Sequence, residues 1–148
     1  LEKAIYKSIM IKLYYVKKDE KEFLLNHNSR AMLNFGHTIG HAIESYYEYK
    51  KFNHGEAISI GMITEAKISN YLGFLPSNEL ERIITHFKNC KLKIYDNILK
   101  DKLLISKVKK DKKNFLNNIN FSLIDKIGNS IFYKKLDTNN VYKILQNI

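Results

Sequence analysis

Arg30 to Glu44 reads RAMLNFGHTIGHAIE, and a second block, NHGEA, follows at Asn53 to Ala57. On a helix, Arg30, Asn34, His37 and His41 fall at i, i+4, i+7 and i+11 and share one stripe. Met32, Phe35, Ile39, Ile43 and Tyr46 repeat with the same period on roughly the opposite side. The spacing predicts one helix from Arg30 to about Tyr49, with Ser29 as its N-cap. A solvated helix face is normally filled with Lys and Glu. This stripe carries a guanidinium, an amide and two imidazoles, groups suited to metals, phosphates and proton transfer. Gly36 and Gly40 each cost about 1 kcal/mol relative to Ala inside a helix. Each directly precedes a histidine, which suits close approach of a second backbone or a ligand.

Working outward, Ala4, Ile5, Ile9, Ile11, Leu13 and Val16 predict a helix from Leu1 to about Lys17. On composition alone, Lys12 within it reads as a surface lysine whose stem covers apolar neighbours. Asp19 to Ser29 is polar and irregular. After a break at Lys50 to Asn53, His54, Gly55 and Glu56 open a helix to about Tyr71, with Gly73 as its stop. Pro76 with Ser77 or Asn78 starts an amphipathic helix to about Asn89, with Leu80, Ile83, Ile84 and Phe87 inward and His86 on the surface. Leu99 to Lys110 reads as a further helix. Phe121–Ile124 and Ser130–Tyr133 form a short hairpin with Gly128 in the turn, and Asp137 or Thr138 caps a last helix to about Gln146. The fold class is therefore mainly α, a helical bundle-like domain with one short β-hairpin. No G-x-G-x-x-G is present, so no dinucleotide fold is written in these residues.

The chain has 148 residues, a formal charge of +10 and a pI near 9.5. Its lysines are spread from Lys3 to Lys143 among Asp, Glu and Asn, and no nucleic-acid module accompanies them. No apolar run reaches transmembrane length, and LEKAIYKSIM lacks a signal-peptide pattern. The expectation is a cytoplasmic protein with neither a nucleic-acid nor a membrane partner. Cys90 is the lone cysteine, which removes disulfides and Cys-type zinc clusters, and it reads as a small buried or half-buried residue. The start at Leu1, directly in helix-like sequence, suggests a piece of something longer.

The spacing leaves the chemistry of the histidines open. His37 and His41 at i, i+4 can share one metal, as on zincin helices, but Thr38 follows His37 where a zincin carries its base. The pair can instead be split, with His37 and His54 on a metal and His41 free one turn away as an acid/base group. Arg30 and Asn34 would then hold an anionic, hydroxylated substrate. A polar helix interface with hydrogen-bonded histidines accounts for the same pattern.

R-x-x-L-N-F-G-H-T-I-G-H-A-I-E, with H-G-E-A beginning thirteen residues beyond the second histidine, closely resembles the 3-dehydroquinate synthase signature. The likeness extends upstream to S-I-M-I-K ending at Lys12 and to V-K-K-D-E at Val16 to Glu20. Downstream it takes in G-M-x-x-E at Gly61 to Glu65, D-K-K at Asp111 to Lys113, and Ile127-Gly128. The resemblance implies that residues 1–148 are the helical C-terminal domain of a two-domain enzyme whose N-terminal α/β NAD-binding domain lies outside this chain. It implies that His37 and His54 are two ligands of zinc, or of another divalent metal such as cobalt, with a third ligand, a glutamate, in the N-terminal half. His41 then assists proton transfer, and Lys12, Arg30 and Asn34 contact substrate, as does Lys113 or Lys112. This overrides the surface reading of Lys12.

The implied reaction converts 3-deoxy-D-arabino-heptulosonate 7-phosphate, a small anionic sugar phosphate, to 3-dehydroquinate and phosphate in the shikimate pathway of aromatic amino-acid biosynthesis. NAD acts as a transient oxidant, and the enzyme is expected to be a homodimer. The isolated fragment is expected to be inactive. Alternatives are another sugar-phosphate cyclase such as a 2-deoxy-scyllo-inosose synthase, a glycerol-dehydrogenase-like metal enzyme, or a non-catalytic helical module. One stretch departs from the pattern. The family links into the motif through D-E-x-E-x-G-x-R, whereas FLLNHNS separates Glu22 from Arg30 here, so Asn26 stands four before the arginine. Glu22 still reaches the site if the insertion loops out, and His27 within it reads as a loop residue.

Overall fold

The computed structural model describes residues 1–24, 29–109 and 118–148. The described chain is mainly helical, as its periodicity predicts. It comprises α1 (Glu2–Lys18), a 3-10 turn (Arg30–Asn34), α2 (His37–Tyr46), α3 (His54–Tyr71), α4 (Ser77–Asn89), a second 3-10 turn (Asn97–Lys100), α5 (Lys102–Lys109), β1 (Asn118–Lys126), β2 (Asn129–Asp137) and α6 (Thr138–Asn147). The strands pair antiparallel in one two-stranded sheet. Both run several residues beyond the expected Phe121–Ile124 and Ser130–Tyr133. The extension follows from burial: Ile119, Phe121, Leu123 and Leu136 all enter the core, so pairing continues as far as there is apolar surface to cover.

The expected helix from Arg30 to Tyr49 is not continuous. Phe35 is extended and Gly36 takes φ +85°, so the 3-10 turn stops and α2 restarts at His37 with Gly36 as its N-cap. Arg30 and Asn34 therefore do not share a helical stripe with His37 and His41. The cause lies across the core, in Glu65 of α3. Its Oε2 accepts from the Gly36 N–H at 2.7 Å and its Oε1 from the Ile39 N–H at 3.1 Å. A buried carboxyl group thus satisfies N–H groups that a helix start leaves without partners. Sequence periodicity cannot register a contact 29 residues away.

Helices α2 and α3 pack at a spacing only glycine permits. A Cβ at Gly61 would lie 2.0 Å from the Gly36 carbonyl oxygen and 2.8 Å from the Gly40 nitrogen. One at Gly36 would meet Met62 backbone nitrogen at 2.7 Å, and one at Gly40 would meet Ile58 Cδ1 at 2.6 Å. The pair buries Ile39, Ile43, Ile60 and Ile68 against α5, α6 and the hairpin. Ser122 donates its hydroxyl to the Ala31 carbonyl at 2.8 Å and Thr38 to the Asn120 carbonyl at 3.1 Å, fastening the hairpin to the motif on both sides of Gly36.

Local capping otherwise follows the expected signals. Asn53 and Glu56 close a capping box at the start of α3 (Asn53 Oδ1 from Glu56 N–H, 2.9 Å; Glu56 Oε2 from Asn53 N–H, 3.1 Å), and Asp137 caps α6. Gly73 follows α3 with φ +77°. The expected helix from Leu99 to Lys110 is instead a 3-10 turn and a separate α5, because Asp96 caps one and Asp101 starts the other. Cys90, expected to be at least half-buried, is exposed, since it sits at the C-cap of α4 beyond that helix's inner face. Helix α1 forms as expected but buries none of its apolar residues among the described ones; Ile5, Ile9 and Ile11 are each about half exposed. No helix among the described residues is long and apolar enough to cross a membrane.

Gly61→Ala is expected to destabilise the domain by about 3 kcal/mol, the upper end of the usual cost of overpacking, because the obstructing atoms are backbone. Urea unfolding followed by circular dichroism checks this; an unchanged midpoint would show that α2 and α3 are free to separate.

Candidate metal- and substrate-binding site

The close packing of α2 on α3 brings together residues that are seventeen positions apart at most. The rings of His37 and His41 lie 5.3 Å apart between centroids, His37 and His54 5.7 Å, and His41 and His54 6.1 Å. His37 is half-buried, whereas His41 and His54 are exposed. The three histidines thus converge, with His54 presented by the first residue of the capped helix α3.

The ring nitrogens are not equivalent. His37 Nδ1 lies 3.3 Å from the Phe35 carbonyl oxygen and His54 Nδ1 lies 3.0 Å from Glu44 Oε1. A carbonyl only accepts, so His37 carries its hydrogen on Nδ1 and leaves the Nε2 lone pair available. Burial holds the His37 imidazole below the ordinary histidine range; the Phe35 bond opposes this, and the neighbouring His41 and His54 add to it. A neutral imidazole with a free Nε2 is the form that ligates a metal. No described residue anchors a ring nitrogen of His41 in this way.

Ligand atoms of His41, Glu44 and His54 also lie within 4.8 Å of one another. Together they offer imidazole and carboxylate donors, a combination suited to zinc or a similar divalent ion. His37 is not one of these three, and Glu44 is already engaged by His54 Nδ1. Glu44 is the residue whose part here spacing analysis missed. It lies at i+3 from His41 and i+7 from His37, so the signal was its place on the same stripe.

The substrate side is only partly gathered. Arg30 and Asn34 stand on the 3-10 turn ahead of α2 rather than on the helix itself. Buried Asp19 organises the segment before them, accepting from the N–H groups of Phe23 (2.7 Å), Leu24 (3.2 Å) and Arg30 (3.0 Å). The Arg30 guanidinium donates to the Glu20 carbonyl at 3.2 Å, and the Asn34 amide donates to Glu22 Oε1 at 3.1 Å. Glu22 therefore reaches Asn34 despite the longer link. Lys12 stays exposed on α1 and is absent from the lining of a groove of about 1650 Å³ that His37 shares with Tyr14, Phe35 and Met62. Lys112, Lys113, Asn26 and His27 lie outside the described residues.

Residues 1–114 match the family model described as 3-dehydroquinate synthase C-terminal. The chain belongs to this family. Relatives named 3-dehydroquinate synthase include one from Thermodesulfovibrio yellowstonii, 39% identical over 142 residues (95% of this chain and 38% of that protein). Another, from Caldanaerobacter subterraneus, is 44% identical over 120 residues (80% of this chain and 32% of that protein). The chain thus spans less than two-fifths of the length of these relatives. Among solved structures, a 2-deoxy-scyllo-inosose synthase complexed with carbaglucose-6-phosphate, NAD+ and Co2+ is 25% identical, with TM-score 0.65 over 80% of this chain and 34% of that one. A 2-epi-5-epi-valiolone synthase from Streptomyces hygroscopicus with NAD+ and Zn2+ bound shares the fold, with TM-score 0.75 at 18% identity over 96% of this chain and 38% of that one.

Glu65, which holds the N-terminus of α2 and so the bearing of His37, is fully buried, and burial pushes its carboxyl up to about 8 against the pull of the Gly36, Ile39 and Thr38 N–H groups. An acid with a raised folded-state pKa contributes stability that is fully present below its unfolded pKa near 4.5 and lost as pH rises toward 8. The stability advantage of the wild type over Glu65→Gln is therefore expected to shrink between pH 5 and pH 8, with a slope approaching one proton, about tenfold in the unfolding constant per pH unit. Urea midpoints of both proteins across that range check it; parallel curves would refute it.

Proposed function

We propose that this chain is the metal- and substrate-binding part of a 3-dehydroquinate synthase, a phosphate-eliminating lyase of the shikimate pathway. The observation that carries the proposal is the convergence of His37, His41 and His54, with His37 and His54 anchored through Nδ1 and His41 unanchored. That asymmetry supports two roles on one cluster, with His37 and His54 as metal ligands and His41 as the group that moves protons. The names of the relatives support the substrate, 3-deoxy-D-arabino-heptulosonate 7-phosphate, and the solved neighbours bound to NAD+ with Co2+ or Zn2+ support the cofactors.

His37 and His54 would hold a divalent metal, which would supply Lewis acidity toward a substrate hydroxyl. NAD, which a separate N-terminal domain would hold, would supply transient oxidation. The residues of this chain do the rest. Arg30, on the turn before the cluster, offers a planar fork suited to carboxylate or phosphate. Asn34, oriented by Glu22, offers an amide to a hydroxyl. Lys12 and Lys113 or Lys112 add positive charge for the anionic groups of the substrate. His41, exposed at the mouth of the cluster, is free to take or give a proton. A second reading, another sugar-phosphate cyclase, is favoured by the 2-deoxy-scyllo-inosose synthase likeness.

Phosphate release by the full-length protein separates the two readings. Turnover of the heptulosonate phosphate is expected; release from a hexose 6-phosphate alone would give the activity to the second reading. In the active protein, His41→Ala is expected to lower kcat by about 100-fold or more with zinc content unchanged, whereas His37→Ala is expected to lose the metal. Loss of zinc from His41→Ala, measured by metal analysis after dialysis, would reverse the two roles.

A further inference from the structure

Glu44 is a carboxylate in an expensive place. It is 8% exposed, in the last turn of α2 where that helix faces the start of α3. Burying a carboxylate is tolerated only where it is hydrogen-bonded. The partner the structure supplies is His54, through Nδ1 at 3.0 Å. His54 itself is largely in water, with 62% of its side chain exposed, so its ring has little packing to hold it in one orientation.

We propose that Glu44 is a positioning residue for His54: its carboxylate takes the Nδ1–H, fixes the ring and its tautomer, and leaves Nε2 as the free donor to a divalent cation. The proposal rests on the reading of His37 and His54 as metal ligands. An ionised carboxylate has no hydrogen to give, so the hydrogen of the bond belongs to the imidazole. The bond then does for His54 what the Phe35 carbonyl does for His37, and both rings expose the same nitrogen. A carboxylate is the stronger acceptor of the two, and it serves the ring that packing leaves loose. Outer partners of this kind typically change metal affinity by about 10- to 100-fold when removed. The competing role, Glu44 as a direct ligand with His41 and His54, fits the same 4.8 Å cluster but takes the carboxylate away from the one ring it orients.

Two measurements on the full-length protein test this. The first is histidine-selective 15N NMR of the metal-free protein, with His54 assigned by its absence in His54→Ala. Wild type and Glu44→Gln, whose amide oxygen still accepts, are expected to hold His54 as the Nδ1–H tautomer, and Glu44→Ala is expected to lose that preference. The second is zinc affinity by chelator competition, expected to fall about 10- to 100-fold in Glu44→Ala and to stay within about threefold of wild type in Glu44→Gln. An unchanged tautomer and zinc affinity in Glu44→Ala overturn the proposal. So does equal loss of zinc in Gln and Ala, because an amide keeps the hydrogen bond but is a poor ligand. If His37→Ala and His54→Ala bind zinc as wild type does, the metal reading fails on its own, and the tautomer of Glu44→Ala still decides the role of Glu44.

Discussion

The approach of α2 to α3 is the constraint on which the site depends. Three positions, Gly36, Gly40 and Gly61, have no room for a Cβ, and the obstructing atoms at Gly61 are backbone atoms of Gly36 and Gly40. Helices normally stand 8–10 Å apart with side chains between them. Removing those side chains lets the two backbones meet, and the polar groups along the seam reach each other directly. At one end of the seam Glu65 of α3 caps the start of α2; at the other, Glu44 of α2 meets His54 at the start of α3. Antiparallel helices joined at both ends by a buried carboxylate form a rigid frame, and the three imidazoles stand on it.

The two carboxylates have opposite duties. Glu65 is wholly enclosed and serves the backbone, satisfying N–H groups that a helix start exposes. Glu44 lies at the edge of the same interface and serves a side chain. Their burial would be costly for an isolated acid, yet each has a donor waiting for it. This pattern places polar chemistry at the rim of an apolar core with hydrogen-bond donors for both acids. The apolar residues of α2 and α3 meanwhile face α5, α6 and the hairpin.

Much of the fold was legible because it rests on local signals. The capping box at Asn53–Glu56, Gly73 after α3, the Gly128 turn and the Asp137 cap all act within a few residues, and each lies where its chemistry requires. The break at Gly36 was not legible. Local propensity allows Arg30–Tyr49 to be one helix, and only Glu65, 29 residues on, makes interruption the better arrangement. The exposed Cys90 and the split of α5 from the preceding turn were missed for related reasons: a cysteine's burial depends on where its helix ends, and two aspartates, each accepting from the N–H two residues on, start separate helical segments where periodicity suggests one.

The residues of RAMLNFGHTIGHAIE and NHGEA by themselves determined the chemistry available: two imidazoles on one helix, a third at the head of the next, and an arginine and an asparagine upstream. Motif order and spacing carry that information because they name side chains. Which imidazole nitrogen is free, that Glu22 reaches Asn34 across a longer link, and that Glu44 belongs with His54 were decided only by the tertiary structure. The Glu22–Asn34 and Glu44–His54 contacts join groups 10 to 12 residues apart, across turns whose path no local propensity specifies. Hydrogen-bond geometry at 3 Å requires the packed core, and the packed core here rests on three missing Cβ atoms.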